Sequence, residues 1–428
     1  MRYDQPALRL TDTEISNVWG TIVLTDLPDP QPQNPARLHN ATPLIERLWR
    51  IALADIESNI VNAPDGARYF GAGASFGFTI YTRDISYAGV LGLNRLYPDL
   101  MLDSLRFTRA MRRRLGFRVS RGYRVPEIPG PWVEEDISEK DYLHKYATNS
   151  FTRRTDDVVW LWCAGDLVAR RGRPEEWRWL YETGREFFRD VYAPFYDQRD
   201  GLYHGQPSFI DIHFTDHKTS GYPQEWGVAD CVLVKALSTN CLYMLGLRTM
   251  AAAATQLGLT DEAAEWGKRE QALTEAIRRE LRRPDGTYSY FKDRHGLLQD
   301  RCDALGCALL VHAGVVAGAD AVAAIGRYPV TVAGAPLFHP FFPWDVFYHN
   351  NSSWPFVDTF FLHALEKADG RDRNALNAAL LARTCVDNGS FHEVVDYRTN
   401  KVGGSGRQLW SAAAFLNVCF RAGLVTGG

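Results

Sequence analysis

The chain has 428 residues, 46% hydrophobic and 23% charged, a globular balance with ample material for a core. Net charge is −3 with acids and bases interleaved, which argues against a nucleic-acid surface or a polybasic membrane patch. No run of about 18 apolar residues could span a membrane, and the opening MRYDQPALRLTDTEISN lacks the apolar stretch of a secretion signal.

These features make a cytoplasmic protein the expectation. The seven cysteines (Cys163, Cys231, Cys241, Cys302, Cys307, Cys385 and Cys419) are scattered and odd in number. They fit neither a disulfide framework nor zinc spacing, so they read as reduced and mostly buried. The length allows two or three average domains or one large barrel. Aromatic residues are plentiful: 12 Trp, 19 Tyr and 22 Phe. Most belong to a core, but many stand beside acids, amides and glycines in loops. Ring faces next to fixed hydrogen-bond partners are how proteins hold sugars.

Along the chain, residues 1–40 read as an N-terminal extension. The stretch 42–61 then places Leu44, Ile45, Leu48, Ile51 and Ala52 on one helical face. The stretch 73–98, GASFGFTIYTRDISYAGVLGLNRLYP, sets Tyr81, Arg83 and Asp84 at the mouth of a second helix. Asp84 suits an N-cap as well as an ion pair with Arg83 that grips hydroxyls. The cationic run RAMRRRLGFRVSRGYR reads as a solvated helix end. FTRRTDDVVWLW repeats the theme with Asp156, Asp157 and Trp160, and capping explains only one of these acids. Pro174 opens a helix after Arg173, and Thr260-Asp261 precedes another.

Between these helices lies the densest polar loop, GLYHGQPSFIDIHFTDHKTSGYPQEW. It carries Gln206, Ser208, Asp211, His213, Asp216, His217, Lys218, Tyr222 and Trp226. A solvated surface loop would not need the interleaved Phe209, Phe214, Tyr222 and Trp226. Further on, HPFFPWDVFYHNNSSW adds His339, Trp344, Asp345, His349, Asn350 and Trp354. The histidines lack metal-site spacing. Finally NGSFHEVVDYRTNKVGGSGRQLW aims Glu393 from a loop whose Gly403, Gly404 and Gly406 let it fold back before Trp410-Ser411 starts the last helix.

Roughly a dozen helices emerge by this periodicity count. They are paired by short links, with longer Gly-, Pro- and aromatic-rich loops at 116–150, 197–227, 327–353 and 387–407. Six hairpins with one set of long loops predict an all-α fold, an (α/α)6 toroid with a pocket at one end. No fixed-period repeat supports a solenoid. Two carboxylates across a sugar-sized pocket are the minimum machinery for glycoside hydrolysis: one protonates the leaving oxygen and the other activates water. In inverting enzymes they stand about 6.5–9.5 Å apart.

Four segments carry a resemblance to the (α/α)6 glycosidases of the mannosylglycerate hydrolase-like and trehalase-like kind, glycoside hydrolase families 63 and 37. They are YTRDISYAGVLGLNRLYP, SFIDIHFTDHKTSGYP with KALSTNCLYMLGL, FYHNNSSWPFV and GSFHEVVDYRTNKVGGSGRQLWSAAAFL. The resemblance implies one catalytic domain over 1–428 with Glu393 as general base, Asp211 as general acid and Asp84 as a sugar-gripping carboxylate. The acid segment departs from the family's Glu-Ser-Gly-x-Asp, reading Pro-Ser-Phe-Ile-Asp, so Asp216 is a second candidate. The first hairpin has Arg83-Asp84 where Trp-Asp is usual, which implies a substrate unlike trehalose or N-glycan glucose.

The expected activity is therefore an inverting exo-glycosidase on a small α-linked saccharide or glycoside, needing no cofactor and no metal. Its partner is a small carbohydrate, with no nucleic acid and no membrane, and a homo-oligomer is open. Tyr81, Arg83, Asp84, Trp160, Gln206, His213, Tyr222, Trp344, His349, Asn350, Trp354 and Trp410 are expected around the substrate. Two rivals on the same toroid stay open. One is a polysaccharide lyase or sugar epimerase using His213, His349 or Tyr348, and the other is a non-catalytic sugar-binding protein.

Overall fold

The computed structural model describes residues 9–17, 20–63, 66–77, 79–115, 118–120, 133–135, 155–210, 221–345, 347–385 and 388–426. Among these residues twelve principal helices set the architecture. They are α1 (Pro43–Ser58), α2 (Thr82–Ala88, run on through Gly89–Leu93 and Asn94–Leu96), α3 (Pro98–Leu115), α4 (Thr155–Arg171), α5 (Pro174–Glu186), α6 (Leu237–Gln256), α7 (Thr260–Glu280), α8 (Ala304–His312), α9 (Gly318–Ile325), α10 (Pro355–Asp369), α11 (Asn374–Ala382) and α12 (Leu409–Arg421).

The even-numbered helices form a closed inner ring. Helix α2 packs on α4, α4 on α6, α6 on α8, α8 on α10, α10 on α12, and α12 returns to α2. The odd-numbered helices lie outside it: α7 on α6, α5 on α4 and α6, α9 on α10, and α1 and α11 on α12. This is the (α/α)6 toroid that the paired helices predict. The two layers follow from composition. Helix α6 is buried without interruption from Leu237 to Leu247, so it has no polar face, whereas α7 buries only Trp266, Leu273, Ala276 and Ile277 along one stripe. Small residues let ring neighbours approach closely: a Cβ on Gly92 would come within 2.9 Å of Leu416 Cβ on α12.

Helix starts follow the local signals. The Thr42 hydroxyl accepts from Ile45 N (3.4 Å), with Pro43 in the first turn, and Pro174 opens α5 after Arg173. Helix α1 stops at Ser58, short of the periodic stretch, and Ile60–Asn62 turns into a strand paired with Arg68–Phe70. Helix α7 opens on Thr260 itself, with Leu259 at the cap position.

The loops that precede the inner helices are laced together by short strands. Lys235–Ala236, leading into α6, pairs with Phe291–Lys292, and Cys302–Asp303, leading into α8, pairs with Phe338–His339. Ser352–Ser353, leading into α10, pairs with Val394–Asp396, which also pairs with Val402–Gly403. Leu409 N, at the head of α12, donates to Ala72 O (2.9 Å), just ahead of α2.

Asp29 pairs with Arg47 (3.2 Å) and Arg50 (2.6 Å) of α1, and Glu57 accepts from Gln33 N and Asn34 N. Arg37–Leu38 pairs with Val425–Thr426, beyond α12. Of the loop expected at 116–150, only Arg118–Ser120 and Val133–Glu135 are described, as a parallel pair. Among the described residues, no helix is long and apolar enough to cross a membrane.

Candidate active site

Glu393 sits where the loop after α11 folds back, and it is buried. Its own N–H donates to Ser405 O (3.0 Å). Both oxygens of its carboxylate accept: Ser405 N donates to Oε2 (3.0 Å), and the Tyr348 hydroxyl donates to Oε1 (3.1 Å). The expected role of the glycines has a specific cause at one position. Gly404 has φ +69°, and a Cβ there would lie 2.3 Å from Glu393 Oε2. Only glycine lets the backbone pass over this carboxylate. From below, Asp55 of α1 accepts from Phe391 N (2.7 Å), and burial pushes the Asp55 carboxyl up to about 7.

The loop ahead of α2 clamps the same turn. Ala74 N donates to Gly406 O (3.0 Å), and Ser75 N to Ser405 Oγ (3.0 Å). It leads through Tyr81, whose ring meets Phe76 edge-on at 5.3 Å, into Arg83 and Asp84. These two are buried in the first turn of α2, with Arg83 Nε 3.7 Å from Asp84 Oδ2. Tyr81 holds the N-cap position, so Asp84 is not the cap, and of the two expectations only the ion pair with Arg83 remains.

One turn on, the Tyr87 hydroxyl and Ser208 Oγ share a hydrogen bond of 2.8 Å, tying α2 to the dense polar loop. Burial drives the Tyr87 phenol upward, opposed by the Ser208 bond and the Arg83 charge and reinforced by Asp156 and Asp303. Charges at the heads of α2, α4 and α8 thus all act on the Tyr87 phenol.

The polar loop is pinned up to Ile210. Ser208 N donates to Ser238 Oγ (3.0 Å), and Gln206 Nε2 and the Tyr222 hydroxyl both donate to Ile210 O (3.1 and 2.9 Å). Both Gln206 and Tyr222 thus spend polar atoms on shaping the loop. Asp211, His213, Asp216, His217 and Lys218 lie outside the described residues.

An aromatic wall joins that loop to Glu393. Phe209, at φ +57°, meets Trp354 (5.1 Å), Phe356 (5.2 Å), His349 (5.8 Å) and Trp410 (6.2 Å). His349 stacks on Trp354 at 5.6 Å, Trp410 stacks on Phe356 at 4.1 Å, and Tyr348 meets Trp354 edge-on at 5.0 Å. A continuous path of contacts runs from Glu393 through Tyr348 and Trp354 to Phe209, two residues before Asp211.

The tryptophan N–H groups are satisfied within the wall. Trp354 donates to Tyr348 O (3.1 Å), and Trp410 Nε1 donates to the side-chain oxygen of Gln408 (3.0 Å).

Two residues expected around the substrate have other placements. Trp160 turns toward the outer helices: its N–H donates to Leu105 O and Thr108 Oγ1 of α3, and its ring packs on Trp179 and Phe187. Both faces of α4 are buried at this level, so periodicity could not say which way the indole points. The Asn350 amide is consumed internally, bonding Phe342 N and O and Trp344 O, and so shapes the turn on which Trp344 stacks against Phe342.

Three participants were not among the expected substrate contacts. Tyr348 holds Glu393, and Phe209 joins the loops. Asp303 is the third: it caps α8 through Gly306 N (2.7 Å), and burial pushes its carboxyl up to about 7. The sequence signal for Asp303 was its place three residues before a glycine at the head of an apolar run.

No protein-family profile and no curated protein matches the chain. Solved structures do match in fold. A glycosidase aligns with a TM-score of 0.61 at 19% identity, over 89% of this chain and 97% of that one. A metal-independent alpha-mannosidase of Streptococcus pneumoniae, in a non-productive complex with alpha-1,6-mannobiose, aligns at 0.58 and 14%, over 88% and 94%. The neutral trehalase of Saccharomyces cerevisiae aligns at 0.53 and 13%, over 84% and 76%. The chain shares the (α/α)6 toroid of these glycosidases.

Proposed function

We propose that this protein is a glycoside hydrolase that cleaves a small α-linked saccharide or glycoside with inversion at the anomeric carbon. The observation that carries the reading is the buried Glu393 carboxylate. It is fixed at both oxygens by Tyr348 and Ser405 N and set beside an aromatic wall, at the loop end of a toroid shared with glycosidases. In this reading Glu393 takes a proton from water as the water oxygen bonds to the anomeric carbon. Asp211, with Asp216 as the other candidate, gives a proton to the leaving oxygen as the glycosidic bond breaks. Arg83 and Asp84 grip ring hydroxyls, and positioning together with proton transfer supplies the catalysis without a cofactor. Residues 1–428 serve as one catalytic domain, with residues 1–40 as an extension on the toroid.

The test is a panel of aryl glycosides and disaccharides, with proton NMR following the anomer first released. Inversion is expected. Glu393→Gln is expected to cut turnover by about 10²–10⁴ with the melting temperature near wild type. Wild-type turnover in that variant, or retention at the anomeric centre, rejects the assignment. An unsaturated uronide absorbing in the ultraviolet would identify a lyase instead.

A further inference from the structure

At the opposite end of the toroid, among the C-terminal ends of inner helices, a cleft of about 680 Å³ opens. Arg95, Arg170, Arg171 and Arg173 line it, with Phe420 and Val425 as apolar surface. Arg95 lies on the run-on of α2, Arg170 and Arg171 end α4, and Phe420 lies near the end of α12. The length of α12 alone, about 18 Å at 1.5 Å per residue, separates this end from the loop of Glu393.

Two of the arginines have structural work. Arg170 grips both oxygens of Asp166 (2.9 Å each), and Arg171 bonds Glu176 (2.9 Å) and Asp99 (2.7 Å). Cations in the last turn of a helix are an ordinary complement to its dipole. That account extends to Arg95, in the last turn of the α2 run-on, but not to Arg173, which stands at the N-cap of α5. Arg173 stands 3.8 Å from Glu176, a carboxylate already held by Arg171. Arg95 has no ion pair among the described residues, and its guanidinium lies 4.7 Å from the centroid of the Phe420 ring. Burial and the nearby Arg170 charge disfavour its ionised form, and Asp166 opposes them only in part. Among the described residues, four guanidiniums gather here around three carboxylates, Asp99, Asp166 and Glu176, an excess of positive charge that a bound oxyanion would offset.

We propose that this cleft binds a phosphorylated small molecule, a sugar or polyol phosphate. Arg95 and Arg173 take the phosphate, and the body of the ligand covers Phe420 and Val425. The planar guanidinium fork matches a phosphate at two oxygens, and the volume suits a ligand of that size. The site is separate from the Glu393 pocket and does not depend on the reaction performed there.

Isothermal titration with inorganic phosphate and with glucose 6-phosphate, against sodium chloride and glucose at matched ionic strength, tests this. Wild-type protein is expected to bind both phosphates, the sugar phosphate more tightly. Arg95→Ser/Arg173→Ser is expected to weaken both by about tenfold or more, the loss of a charge-assisted contact. Glu393→Gln, which keeps the sugar pocket, is expected to bind them as wild type does, so it is the loss in Arg95→Ser/Arg173→Ser that assigns the binding to this cleft. Should the double variant fail to fold, Arg95→Gln alone carries the test. No binding of either phosphate up to about 10 mM, or unchanged affinity in a folded cleft variant, overturns the proposal.

Discussion

The hydroxyl of Tyr348 donates to Oε1 of Glu393 at 3.1 Å, while Ser405 N holds Oε2 at 3.0 Å. A carboxylate gripped at each oxygen by a different element keeps one orientation, which the role proposed for Glu393, a base working on a single water, requires. Tyr348→Phe removes one donor and leaves the ring on Trp354. Hydrogen bonds to charged groups are worth about 1.5–3 kcal/mol, so kcat is expected to fall about 10- to 100-fold by the same measure. KM should change little. Steady-state kinetics on the substrate found by the panel read this split, and a KM effect with kcat unchanged would give Tyr348 a substrate-binding role instead.

Gly404→Ala drives a methyl into the space of Glu393 Oε2, 2.3 Å away, at φ +69°. The strain is expected to cost about 1–2 kcal/mol of stability. Activity should suffer far more than that, because the carboxylate is what must move. Thermal unfolding and turnover measured on one preparation check the disproportion, and proportional losses would contradict it.

Burial raises the Asp303 carboxyl to about 7, far above the unfolded value near 4. The folded state therefore holds this proton more tightly than the unfolded chain does. The resulting contribution to stability is fully present below about pH 4 and is lost as pH rises through about 7. Asp303→Asn keeps an acceptor for Gly306 N and removes the titration. Relative to wild type, it is expected to gain stability at pH 8, by no more than about 4 kcal/mol, and to gain nothing near pH 4. Melting temperatures of both proteins across that range decide it, and a pH-independent difference would show that Asp303 does not titrate there.

Trp410 stacks on Phe356 at 4.1 Å and is 2% exposed. Trp410→Ala opens a cavity where the wall meets the inner ring and is expected to cost about 3–5 kcal/mol. Trp410→Phe should recover part of this. A thermal scan of the two variants in parallel is the check, and equal losses would mean that the N–H bond to Gln408, not ring volume, is what matters there.

The toroid was legible because its helices announce themselves locally. Thr42 and Pro43 mark one start and Pro174 another, and the contrast between buried and striped helices follows composition. Direction was harder. Trp160 and Trp354 both sit among polar residues at a helix head, yet one faces the outer layer and the other the wall beside Glu393. When both sides of a helix are buried, no polar stripe tells them apart. Asn350 looked like a hydroxyl ligand, but its amide closes the turn at Phe342–Trp344, a use that only the folded loop reveals. Tyr348 reaches Glu393 from a φ of 108°, a backbone turn that residue type does not forecast.

The return of α12 onto α2 has a consequence for how this molecule is made. Residues more than three hundred positions apart must meet before the circle shuts, so on the ribosome the assembly stays a horseshoe until the segment 409–421 emerges. Until then the flanks of α2 and α10 that α12 will cover are bare apolar surface. A pause in translation just upstream of that segment is when this chain is most exposed to misassociation and most in need of a chaperone.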